Sequence, residues 1–171
     1  RGDYRRAIPF FTKNIDALAG DLTVEQFGSP QPRSVHSRTC LAWCLAELGE
    51  FPAGLARADE AVRIARALGH PLSQVTASFG IGYLYLRKGD IREALAVLEP
   101  ALEMTREAHS PVWFPRIAFE LGTVYVLAGR PQDAIPLLEE ALERSVFMSL
   151  VSGQSLILAA LAEAQMVVGE L

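Results

Sequence analysis

Large and small apolar positions recur along the chain in a fixed phase, punctuated by glycine. Gly49-Glu50-Phe51, Gly89-Asp90-Ile91, Gly129-Arg130-Pro131 and Gly169-Glu170-Leu171 open four similar segments, each glycine 40 residues after the last. A fifth start, Gly2-Asp3-Tyr4, precedes Gly49 by 49 − 2 = 47 residues. The seven extra residues fall around Ala19 to Arg33, rich in Gly, Pro and polar residues, which reads as a surface loop. Small residues keep step with the glycines: Ala7, Gly54, Ala94 and Ala134 five after them, and Ala61, Ala101 and Ala141 twelve after. Ala42, Gly82, Gly122 and Ala162 stand seven before the next glycine, each following a large residue (Leu41, Ile81, Leu121, Leu161).

Each period predicts two antiparallel helices. Helix A runs up to the glycine, over Leu72–Lys88, Val112–Ala128 and Ser152–Val168, and helix B follows it, over Phe51–Leu68, Ile91–Ala108 and Pro131–Met148. Small residues on both let the backbones approach, and the large residues beside them fill the gaps between neighbours. Glycine suits the tight A-to-B turn because a left-handed conformation costs it little. The whole of 1–171 reads as one repeat domain. Residues 2–48 hold the helix B of a cut repeat, the loop 19–33 and the next helix A; in-phase periods follow at 49–88, 89–128 and 129–168, and 169–171 start a further repeat. His70-Pro71 marks one B-to-A break, and Ser110-Pro111 resembles an N-cap followed by proline at the first helical position. Pro9 and Pro136 share one repeat offset, and Pro100 and Pro115 also fall inside predicted helices, where an interior proline can cost about 3 kcal/mol.

Composition agrees with helix: 24 Ala and 23 Leu among 171 residues. Half of the residues are apolar and 21% are charged, which excludes global disorder. The formal charge is 16 − 20 = −4 without a basic block, so nucleic acid is not an expected partner. The longest apolar run, Leu156 to Ala162, is seven residues, far below the roughly 18 needed to span a bilayer, so no membrane partner is expected either. Cys40 and Cys44 lie four apart on one predicted helix, too far for a disulfide, and no secretory signal precedes them. The chain therefore reads as a fragment of a longer cytoplasmic protein.

The strings Ile81-Gly82-x-x-Tyr85-x-x-x-Gly89-x-x-x-x-Ala94 and Leu121-Gly122-x-x-Tyr125-x-x-x-Gly129-x-x-x-x-Ala134 resemble the tetratricopeptide repeat (TPR). The resemblance covers nearly the whole chain, although the usual repeat is 34 residues long, and Leu45 and Gln165 replace the tyrosine in the outer units. It implies an all-α fold, a right-handed α-α superhelix (TPR-like solenoid) of about eight antiparallel helices with a 40-residue repeat. The phrases at 41–51 and 83–90 look like the C-terminal repeat region of bacterial multidomain adenylate/guanylate cyclase–ATPase signalling proteins. That resemblance implies an arm that recruits a partner and carries no catalytic residue.

A superhelix of this kind lines its concave wall mainly with helix A. Taking the small residue of helix A as facing its neighbour, the groove positions are His36, Thr39 and Trp43; Thr76, Phe79 and Tyr83; Arg116, Phe119 and Thr123; and Leu156, Ala159 and Glu163, with Glu47 and Arg87 further along the same wall. Aromatic rings mixed with Arg and Thr suit an extended peptide or a helix of some acidic character. The same residues could equally pack between repeats. The carboxylate clamp of some chaperone-binding repeats needs Lys and Asn, and Thr39, Trp43 and Gly80 stand there instead. His36, Cys40 and Cys44 at i, i+4, i+8 invite zinc, but a fourth ligand is missing and one straight helix cannot surround a tetrahedral ion. No metal, cofactor or catalytic motif is expected: the chain has no phosphate loop, no His-Glu-x-x-His and no Gly-x-Ser-x-Gly. His70 and His109 fall in inter-repeat turns, apart from His36.

The leading functional expectation is a non-catalytic scaffold that binds a protein or peptide, or another domain of its own chain. A small-molecule sensor arm lined by Trp43, Trp113 and Arg116, and a spacer that forms a homodimer through exposed repeat ends, remain open beside it.

Overall fold

At three turns the chain closes helix A in the same way. The Glu50, Asp90 and Arg130 amides donate to the carbonyls of Leu45, Tyr85 and Tyr125 at 2.9, 2.9 and 2.8 Å. The glycine amides before them donate to Ala46, Leu86 and Val126 at 3.0, 3.2 and 3.0 Å. This double bond pattern satisfies carbonyls that a helix end leaves open, and it requires a left-handed residue. Gly49, Gly89 and Gly129 supply it, with φ of 74, 86 and 72°. Helix B then starts within two residues of each glycine, which is why the hairpins are tight.

The structure, a computed structural model, describes residues 2–107, 111–151 and 153–169. Among them are eight α-helices and no β-strand: α1 Tyr4–Ala17, α2 Arg33–Glu47, α3 Phe51–Leu68, α4 Pro71–Lys88, α5 Ile91–Glu107, α6 Phe114–Leu127, α7 Pro131–Phe147 and α8 Gln154–Val168. The even-numbered helices are helices A and the odd-numbered ones helices B. Contacts gather them into two compact units, Arg1–Asp90 and Ile91–Leu171. In the first, α2 packs on α1, α3 and α4, and α3 on α4. In the second, α6 packs on α5, α7 and α8, and α7 on α8.

The in-phase small residues are the contact points. A Cβ on Gly54 of α3 would sit 2.6 Å from Leu84 Cδ1 and 3.4 Å from both the Ala42 carbonyl oxygen and Leu45 Cβ. On Gly122 of α6 it would lie 2.7 Å from Cγ and Cδ2 of Leu138 in α7. Ala94, Ala101, Ala134 and Ala141 are fully buried. Burial of this Leu, Ile and Ala surface drives the packing, at roughly 25 cal/mol per Å² of apolar area.

Several boundaries move from their expected places. α6 begins at Phe114 rather than Val112, so Pro115 occupies its first turn, where an amide has no helical partner to lose. Pro9, Pro100 and Pro136 do lie inside helices. The Ala19–Arg33 segment contains a short 3₁₀ turn at Gly20–Val24, and Arg33 already belongs to α2. Gln31 and Pro32, expected at the surface, are buried, because the Thr76 hydroxyl donates to Gln31 Oε1 at 2.8 Å. The proposed cap at Ser110, His109, the helix start at Ser152 and the closing Glu170-Leu171 lie outside the described residues. His70 caps α4, its Nδ1 accepting from the Ser73 amide at 3.3 Å.

Candidate functional site

In the first unit, α2 and α4 lie side by side and bring their matching positions together. Trp43 of α2 meets Phe79 of α4 edge to face, ring centroids 5.9 Å apart at 83°, and Tyr83 at 5.3 Å. Phe79 and Tyr83 stack at 6.5 Å. Such pairs contribute about 0.5–1.5 kcal/mol each beyond the area they bury. One turn further along, the Tyr83 hydroxyl donates to Glu47 Oε1. Arg87 Nε donates to Glu47 Oε1 and to the Tyr83 hydroxyl oxygen, both at 2.9 Å. The Arg87 guanidinium also stands 5.0 Å over the Tyr83 ring.

These five residues grade from closed to open. Tyr83 is buried, Glu47 and Phe79 are half-buried, and Trp43 and Arg87 are exposed. Burial pushes the Tyr83 phenol up to about 12, and its bond to the Glu47 carboxylate adds to the shift. Tyr4 of α1 reaches the same carboxylate, and its phenol is also raised, by burial first and then by the Glu47 charge. Glu47 thus ties together α1, α2 and α4. Tyr4 was not foreseen; the available clue was its position at the start of a helix B, beside the end of the next helix A.

Other expected wall residues lie elsewhere. Thr39 and Thr76 are corrected: both are buried, at 3% and 0% exposure, inside the α2–α4 contact. The Thr39 hydroxyl donates to the Thr76 carbonyl at 3.4 Å, and a Cβ on Gly80 would come within 2.7 Å of Thr39 Cγ2, so the close approach at Gly80 leaves no room for a ligand. Thr76 Oγ1 also lies 2.8 Å from the Leu72 carbonyl oxygen, so that carbonyl and Gln31 Oε1 share its single hydroxyl proton. His36 Nε2 sits 3.5 Å from Cys40 Sγ, both half-buried. Cys44 is buried, and burial raises its thiol above the ordinary range. Neither cysteine is part of a disulfide, and no group of three His, Cys, Asp or Glu suited to a metal occurs among the described residues.

In the second unit Arg116 is exposed, with its guanidinium 5.2 Å over the Trp113 ring. Phe119 and Thr123 are half-buried, and the Thr123 hydroxyl donates to the Phe119 carbonyl at 2.9 Å. Glu163 is exposed on α8. The helix B side of this unit holds a feature the sequence reading missed. A shallow groove of about 390 Å³ is lined by residues that include Leu102, Tyr125, Arg130, Leu137 and Glu140. Arg130 stands 4.3 Å over Tyr125 and pairs with Asp133 at 2.7 Å and Glu99 at 3.4 Å. The Tyr125 hydroxyl donates to Glu99 at 3.1 Å. The motif tyrosine and the residue after the turn glycine were legible; their meeting with α5 was not.

The tetratricopeptide repeat model matches residues 41–111 and 79–148, together more than half of the chain. The chain belongs to the tetratricopeptide repeat family. Crystal structures of nearly identical TPR-like repeats, from a Podosopora anserina protein described as a kinesin light chain, are similar over 99% of this chain. One aligns with a TM-score of 0.70 at 19% identity over 80% of its own length, the other with 0.67 at 21% over 81%. At that identity the likeness is one of fold. No curated protein matches the chain. Tetratricopeptide repeats generally mediate protein–protein interaction and form a non-catalytic scaffold. No described helix is long and apolar enough to cross a membrane.

Proposed function

We propose that this repeat module binds a polypeptide along the α2–α4 face of its first unit. The partner is a protein, a peptide, or another domain of the same chain. The observation that carries this reading is the open Trp43–Phe79 edge continuing into the half-shielded Tyr83–Glu47–Arg87 cluster. Aromatic side chains and arginine dominate the energetics of protein interfaces because they bury large area at small entropic cost. Here both kinds are held in place by neighbours, so little ordering is left to oppose binding. An aromatic or aliphatic anchor fits against Trp43 and Phe79, and an acidic residue beside it meets Arg87. Within the second unit, Arg116, Phe119, Thr123 and Glu163 are proposed as partner-contacting residues in their own right. The resemblance of residues 41–51 and 83–90 to the arms of bacterial cyclase–ATPase proteins supports a cytoplasmic signalling role for the parent protein.

Tryptophan fluorescence tests the site directly, because Trp43 and Trp113 are the two tryptophans. With Trp113→Phe as background, a bound peptide is expected to shift Trp43 emission. Trp43→Ala should weaken binding by tenfold or more, and Arg87→Glu should select against acidic peptides. A partner that binds with unchanged affinity to both folded variants rules the face out.

A further inference from the structure

Charge is divided unevenly along the chain. Residues 91–171 hold 5 arginines, no lysine and 11 acidic residues, 5 − 11 = −6, whereas residues 1–90 sum to 11 − 9 = +2. A field of that sign draws a basic partner to the second unit. On the helix B side of that unit each arginine is divided between acids. Arg106 pairs with Glu103 at 2.8 Å and Glu140 at 3.3 Å, and Arg130 with Asp133 at 2.7 Å and Glu99 at 3.4 Å. Arg144 also reaches Glu140, at 2.5 Å, with its guanidinium against the Phe114 ring.

Beside the groove that holds Arg130 and Leu137 lies a second hollow, of about 380 Å³, which shares Leu102, Glu103 and Tyr125 with it. Ala96, Glu99, Pro100 and Leu121 complete its lining, so among the described residues it has an apolar floor, two carboxylates and no cation. Leu102 and Leu121 are buried, whereas Ala96, Glu99, Pro100 and Glu103 stand exposed along one stripe of α5. Pro100 breaks the repeat. Its counterparts 40 residues to either side are Glu60 and Glu140, both paired with arginine. Proline has no N–H, so it cannot donate to the Ala96 carbonyl four residues earlier, and α5 gives up a helical hydrogen bond at the wall of the hollow. That carbonyl oxygen is an acceptor on the same stripe as the two glutamates.

We propose that this hollow is a second binding surface, which takes a basic segment of a partner polypeptide. A leucine-sized side chain of that segment lies on Leu102 and Leu121. An arginine or lysine beside it donates to Glu99, Glu103 and the Ala96 carbonyl, and charge-assisted hydrogen bonds of this kind are the strong ones. The proline thus exchanges a bond within α5 for one to the partner. The segment is opposite in charge to the acidic one proposed for the Arg87 face, so the two surfaces take different sequences.

Fluorescence anisotropy at low salt measures this, with a fluorescein-labelled peptide of alternating arginine and leucine as the probe. The probe is expected to bind, and a glutamate–leucine peptide of the same length to bind about tenfold more weakly or worse. Glu99→Gln with Glu103→Gln should weaken the probe by about tenfold. Glu139→Gln with Glu143→Gln removes the same charge at exposed positions outside the hollow, and should change affinity by less than about twofold. Circular dichroism checks that both pairs fold. Pro100→Ala returns an amide to the Ala96 carbonyl, so it should melt at a higher temperature and yet bind about threefold more weakly. The proposal is overturned if the probe does not bind, or if the glutamate–leucine peptide binds as well. It is also overturned if the outer pair weakens binding as much as the inner pair, or if a stabilised Pro100→Ala binds as tightly as the wild type.

Discussion

The Glu47 carboxylate accepts hydrogen bonds from Tyr83 and Arg87 and lies beside Tyr4, so three helices meet at one side chain. A hydrogen bond to a charged group is worth about 1.5–3 kcal/mol. Tyr83→Phe is therefore expected to lower stability at neutral pH by about 1–2 kcal/mol, Arg87 and Tyr4 keeping Glu47 partnered. Alkaline pH separates this from simple packing loss. An unfolded tyrosine ionises near 10, and in the folded chain Tyr83 is held up to about 12. Below pH 10 both states keep the proton and the full contribution is present. Between 10 and 12 the unfolded chain releases its proton and the folded chain does not, so stability falls as pH rises. Thermal melts across that window should fall less steeply for Tyr83→Phe than for the wild type. Parallel slopes would show that Tyr83 is not the group held up.

Helix pairs in this protein are set by where a side chain is missing. Gly122 lies in the middle of α6, where alanine would ordinarily gain about 1 kcal/mol of helix propensity. An alanine Cβ there would sit 2.7 Å from Cγ and Cδ2 of Leu138, which is fully buried. Overpacking of this kind costs about 1–3 kcal/mol, so the close contact wins over propensity. Gly122→Ala is expected to lower the melting temperature by a few degrees, roughly 2–4 °C per kcal/mol for a chain of this size. A raised melting temperature would mean that α6 and α7 can separate freely. The small residues were legible because their phase repeats every 40 positions. Their partners were not, because Gly122 meets Leu138 in α7 while Gly80 meets Thr39 in α2.

Across the whole molecule, burial falls away at the first and last helices. α8 buries Ile157, Ala160 and Ala164, and α1 buries Ile15, whereas α6 buries eight residues from Phe114 to Val124. Helices with few buried contacts open at low free energy. Hydrogen exchange at low protein concentration should show α1 and α8 exchanging well ahead of α2, α4 and α6. Equal protection in all eight helices would contradict the burial pattern.

The amino-acid order alone determined the 40-residue period, the A-to-B turns and the all-helical class. Each of these is a local code: a left-handed glycine, a capped carbonyl and a small residue at a set offset act within one hairpin and repeat unchanged. The order also placed Trp43, Glu47, Phe79, Tyr83 and Arg87 at matching helix positions. Only the tertiary structure decided which of the expected residues face outward. Successive side chains turn by about 100° around a helix axis, so a small rotation of α2 against α4 decides whether Thr39 or Trp43 reaches solvent. The absent Cβ of Gly80 lets the helices close over Thr39 and Thr76, and Trp43 is left at the edge.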